Sequence, residues 1–135
     1  MATKEEIAAF LAKEFPQTRC VVDDVGRMRA TVSLDVGVAD LRPGGTVSGP
    51  VMMGVADMAL YVALLGESGI VPLAVTTSLT INFLRKPSAG KRIVGECKLL
   101  KVGKSLVIGE VSIYSDGTTD PVAHAVGTYS IPPRP

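Results

Sequence analysis

The chain has no tryptophan, one histidine and two cysteines, and aromatics make up only 4% of its residues. Each shortage excludes something. Single-stranded nucleic acid is usually held by stacked aromatic rings on a basic surface. Here 14 basic residues face 13 acidic ones, the net charge is +1, and no basic stripe appears. Nucleic acid is therefore not an expected partner. Cys20 and Cys97 lie far apart and form no C-x-x-C pair, so buried reduced thiols are expected and neither a disulfide nor a metal site. His124, on an alternating stretch, reads as an ordinary strand residue. Internal repeats and low-complexity segments are absent. The opening MATKEEIAAFLAKEF carries acids at helical spacing and lacks the features of a signal peptide, so a cytoplasmic location is expected.

What is present is a globular composition. With 135 residues, 47% apolar and 20% charged, the chain suits one domain over 1–135 with a modest core. Thr3 and Glu6 make a T-x-x-E capping box, and Ile7, Phe10 and Leu11 repeat at helical spacing, which predicts a helix over 4–14 ended by Pro16. The period then changes to two. In RMRATVSLDV, Met28, Ala30, Val32, Leu34 and Val36 share one face, and Arg27, Arg29, Thr31, Ser33 and Asp35 share the other. That is a half-exposed antiparallel strand, with CVVDDV pairing to it through a turn near Gly26. ADLRPGG is a loop. Four more strands are predicted in VTTSLTINFL, KRIVGECKLL, SLVIGEVSIYS and VAHAVGTYSI, joined by short connections as in a meander.

Between them runs an apolar stretch, Val47 to Leu65, with Asp57 in its middle. As a membrane span it would place that acid near the bilayer centre, at roughly 2.5–3.5 kcal/mol. Gly49 and Pro50 punctuate its start and no basic cluster flanks it. It reads instead as a helix over about 50–66, with Pro50 at the first helical position and Gly66 and Gly69 closing it. A single long helix among antiparallel strands must bury itself on the sheet, which explains why it is apolar nearly all round. The fold class is α+β. A buried carboxylate needs a reason: it caps backbone, pairs with Arg42 or Arg85, or does chemistry.

RPGGTVSGP, Arg42 to Pro50, leads into ADMA, Ala56 to Ala59; NFLRKPSAG, Asn82 to Gly90, follows, and AVGTY, Ala125 to Tyr129, comes last. In this order they resemble the hotdog-fold acyl-CoA thioesterases of the PaaI-like type, the phenylacetate-pathway and hydroxybenzoyl-CoA enzymes, over about residues 20–131. The resemblance implies an antiparallel sheet wrapped around the long helix. It also implies hydrolysis of an acyl-CoA thioester, no metal, no cofactor beyond the coenzyme A of the substrate, and self-association as a dimer or tetramer. Asp57 takes the position of the catalytic carboxylate and Gly49 that of the backbone N–H that polarises the carbonyl. The chemistry is sound on its own terms, because a helix start presents free N–H groups to a developing oxyanion. Asp57, seven residues after Pro50, lies two turns along on the same face; it could act as general base or nucleophile.

The chain departs from the family pattern at several positions. Arg42 stands where an Asn or Gln is usual, Ser48 where a His is usual, and Pro50 where a second Gly is usual. Ser48 is either a helix-start residue or a substitute catalytic donor. Tyr61, four residues after Asp57, could bond the acid or a substrate. Arg42, Tyr61, Asn82, Phe83, Arg85 and Lys104 are the implied substrate-binding residues, with Arg85 and Lys104 meeting the coenzyme A phosphates. A dehydratase of this fold would need a His–acid pair, for which the chain has no spare histidine. The competing expectation is a non-catalytic module that binds acyl-CoA or scaffolds an assembly, which the loss of the His favours.

Overall fold

The computed structural model describes residues 1–88 and 90–133. Ala89 of the NFLRKPSAG stretch, and Arg134 and Pro135 at the end of the expected domain, lie outside the described residues. Helix α1 spans Lys4–Glu14, and its capping box forms as expected, with Thr3 and Glu6 each bonding the other's backbone N–H. Strands β1 (Val21–Gly26) and β2 (Arg29–Leu34) form the first hairpin. A 3-10 turn over Val38–Asp40 leads to helix α2, Gly49–Ser68. Strands β3 (Val75–Phe83), β4 (Ile93–Val102), β5 (Leu106–Ser115) and β6 (Ala123–Ser130) complete the described chain.

Among the described residues the six strands make one antiparallel sheet in the order β1-β2-β4-β5-β6-β3. The sheet wraps α2. The expected meander holds for β4, β5 and β6 only. β3 instead crosses to the far edge and pairs with β6, because α2 carries the chain across the sheet before β3 begins.

α2 is long and apolar enough to cross a membrane by length and composition, but most of that stretch is buried against the strands. Val55, Ala56, Ala59, Leu60, Val62, Ala63, Leu64 and Leu65 are each at most 1% exposed. The helix sits close to the sheet because the strands offer glycine beneath it. Gly109 and Gly127 pair across β5 and β6. A Cβ on them would lie 2.7 and 2.5 Å from the two methyls of Leu60. A glycine in a strand interior marks such a close approach.

Three local expectations change. The helix starts one residue early, so Pro50 is its second residue, and Gly66 is buried inside it rather than closing it; Gly69, with φ 85°, is the C-cap. Packing against Val25 carries the helix past Gly66, where a Cβ would meet Val25 at 2.8 Å. Met28 lies in the β1–β2 turn with φ 59°, off the strand. Ser33, expected on the open face, is 1% exposed, between Val21 on β1 and Val94 on β4.

Candidate active site

Asp57 projects from the middle of α2 into a cleft of about 250 Å³, lined among others by Phe15, Met58, Tyr61, Val75, Thr76 and Tyr129. Its partners are neutral. Asp57 Oδ1 accepts from the Thr76 hydroxyl at 2.6 Å and the Tyr129 hydroxyl at 2.8 Å. The same phenol lies 3.2 Å from the Asp57 carbonyl oxygen, so Tyr129 bridges side chain and backbone. Neither Arg42 nor Arg85 pairs with it. Arg85 Nε donates to the Pro121 carbonyl at 2.9 Å, and its guanidinium lies 3.7 Å from Asp120.

The walls of this cleft are aromatic. Tyr61 and Tyr129 stack at 5.7 Å with an interplanar angle of 22°, and Phe15 meets Tyr61 edge-on at 5.6 Å. Tyr61 donates its hydroxyl to the Pro72 carbonyl at 3.3 Å, so it does not bond the acid. Burial pushes the Tyr61 phenol up. Burial, and then the neighbouring Asp57 carboxylate, push the Tyr129 phenol far above its ordinary range. Tyr129 is therefore a permanent donor at physiological pH.

A second, larger cleft of about 690 Å³ opens at the start of α2, lined by Arg42, Ser48, Gly49, Phe83, Arg85 and Lys86 among others. Ser48 is the N-cap: its Oγ accepts from the Val51 N–H at 3.3 Å. The Gly49 N–H has no acceptor among the described residues. Phe83 stacks so close that a Cβ on Gly49 would lie 3.2 Å from its Cζ, which favours glycine there. The approach loop is held by Asp40, 3% exposed. Its carboxylate accepts from Gly37 N–H at 2.7 Å and from Arg19, and its carbonyl accepts from Ser48 N–H at 2.9 Å. The Arg19 bond and the Gly37 N–H hold the Asp40 carboxyl below its ordinary range.

The sequence-derived residues thus fall into two groups. Asp57 and Tyr61 share one cleft; Arg42, Ser48, Gly49, Phe83 and Arg85 share the other. Eight helical residues separate Gly49 from Asp57, about 12 Å along the axis, too far for both to touch one carbonyl. Asn82 is exposed on β3 opposite His124 and lines neither cleft. Lys104 lies in the β4–β5 turn. Arg85 N–H bonds Val122, just before β6, while Leu106 pairs with Ser130 at its end, so the two cations are at opposite ends of the sheet, about 26 Å apart along the strand. His124 lies 3.1 Å from Glu110 on neighbouring strands, so a His–acid pair does exist, contrary to expectation, but neither residue lines either cleft. Thr76 and Tyr129 were not foreseen. Tyr129 closes the AVGTY stretch, the one sequence signal that pointed near it; Thr76 had none.

The family model of the thioesterase superfamily matches residues 44–122. A Silicibacter protein assigned as a thioesterase is 41% identical, with a TM-score of 0.89 over 97% of this chain and 92% of that one. Zebrafish thioesterase superfamily member 2 is 19% identical, with a TM-score of 0.83 over 98% of this chain and 100% of that one. PaaI from the Escherichia coli phenylacetic acid degradation operon is also 19% identical, with a TM-score of 0.83 over 96% and 92%. No curated protein matches. The last two likenesses are of fold, and the fold is the hotdog.

Proposed function

Because the chain belongs to the thioesterase superfamily, we propose that it hydrolyses an acyl-CoA thioester to the free acid and coenzyme A, with Asp57 as general base or nucleophile and the Gly49 N–H as oxyanion donor. Thioester hydrolysis follows from membership; the coenzyme A ester and the residue roles are the proposal. One observation carries it. Asp57 is an acid in an aromatic cleft whose partners are two neutral hydroxyls. Asp57 is half-buried there and no cation pairs with it among the described residues, which leaves the carboxylate open to a substrate.

The separation of Asp57 from Gly49 asks for a second copy of the chain. β3 is a nine-residue edge strand with one side unpaired, the kind of edge that a homodimer closes. Antiparallel pairing of two β3 strands about their midpoint, Leu79, sets Thr76 opposite the partner's Asn82 and beside the partner's Phe83. Thr76 bonds Asp57, and Phe83 packs on Gly49. Asp57 of one subunit then faces the helix start of the other. The same two-fold brings Lys104 to the end of the sheet that carries the partner's Arg85, so the two can share the coenzyme A phosphates. Ser48, whose Oγ accepts the capping bond, keeps its hydroxyl proton for the leaving group or the carbonyl. The reaction calls for no cofactor beyond the coenzyme A of the substrate, and its setting is the cytoplasm.

The test is a panel of acyl-CoA esters with a thiol reagent that reports free coenzyme A. Wild-type protein should release it from at least one ester, and Asp57→Asn should not. Release by neither, from folded protein, would leave the chain a binding module.

A further inference from the structure

We propose that Tyr129 is a positioning residue: together with Thr76 it clamps Oδ1 of Asp57 and leaves Oδ2 as the single oxygen that works on the thioester. The proposal rests on the hydrolytic reading above. A carboxylate on a helix has two equivalent oxygens and rotates about two side-chain bonds. Here donors arrive from two different strands, Thr76 from β3 and Tyr129 from β6, and both go to Oδ1. Oδ2 has no protein donor among the described residues. Two bonds to one oxygen fix both the plane of the group and which atom is free.

Tyr129 is itself held. It is 5% exposed, stacked on Tyr61, and in reach of the Asp57 carbonyl oxygen as well as the side chain. Tyr61 is pinned in turn by the Pro72 carbonyl. The chain from Pro72 through two stacked rings to Asp57 holds the working group in place, the arrangement that a precise site needs. Neutral donors suit the task, because they orient the acid without cancelling its charge. Apart from Asp57, the titratable groups in this cleft are Tyr129 on β6 and Tyr61 on α2; Phe15, the C-cap of α1, and Val75 and Thr76 on β3 also line it.

The experiment compares Tyr129→Phe, Thr76→Val, Thr76→Ser and Asp57→Asn with an acyl-CoA ester that the wild type hydrolyses. Loss of the phenol should lower kcat about tenfold or more, since a displacement of about 1 Å can cost a hundredfold, while KM moves less than about twofold. Thr76→Val should do the same in smaller measure, and Thr76→Ser should restore it. Crystal structures should show one Asp57 carboxylate orientation in the wild type and more than one in Tyr129→Phe, a readout independent of turnover. An unchanged kcat and carboxylate orientation in Tyr129→Phe would overturn the proposal; if that variant does not fold, equal behaviour of Thr76→Val and Thr76→Ser would overturn it. Full activity in Asp57→Asn would instead overturn the hydrolytic reading.

Discussion

The cleft around Asp57 and the cleft at the start of α2 differ in size, in lining and in charge. The first is small, walled by Phe15, Tyr61 and Tyr129, and holds one carboxylate with neutral partners. The second is larger and basic, with Arg42, Arg85 and Lys86 around an unpaired backbone N–H. An acyl group suits the aromatic walls, and a phosphate-bearing tail suits the cations. Both clefts lie along one helix, one at its middle and one at its start. The lesson is that a rigid helix cannot bring its start to its middle, so a site that needs both must borrow one from a second helix.

That comparison breaks most sharply if the copies are separated. Sedimentation should show at least a dimer, and dilution into the monomer range should abolish hydrolysis in step with loss of the dimer. A folded monomer at micromolar concentration that hydrolyses normally would show the two clefts working apart. Next in size is Asp57→Asn, which removes the charge from the aromatic cleft. Its fold should survive by circular dichroism, while hydrolysis falls about a hundredfold or more, the scale of a positioned acid–base group. Unfolding would instead mark Asp57 as a structural residue.

Arg85→Ala addresses the basic cleft. KM should rise severalfold with coenzyme A esters and change little with truncated thioesters, because the guanidinium is asked only to meet phosphate. Equal effects on both substrate types would remove Arg85 from that role.

The smallest effect concerns the loop that frames the basic cleft. The carboxyl of Asp40 is held low by Arg19 and Gly37 N–H, so its stabilisation is present above the unfolded value, about 3.9, and is lost as pH falls through the lower folded value. Thermal unfolding should therefore find Asp40→Asn less stable than wild type at pH 7, with the gap closing below about pH 4. A gap that persists at pH 2 would mean the loop is held by something other than this charge.

Local patterns made much of this molecule legible in advance. Thr3 and Glu6 announce α1, because a capping box acts over three residues. Alternation in β4, β5 and β6 shows in the chain, because each strand buries one face. The apolar run with Asp57 inside it marked both the central helix and the residue of interest. What tertiary structure alone decided are the relations between distant segments. β3 joins the far edge beside β6; Tyr129, 72 residues beyond Asp57, delivers its hydroxyl to that acid; Tyr61, at the right helical spacing, turns to Pro72 instead; and Arg85 and Lys104 end at opposite ends of the sheet. Helical and strand periods are set by neighbours a few residues apart, and so are written in the chain. Strand order and register are set by which apolar faces meet across the whole core, and no short stretch of sequence carries that information.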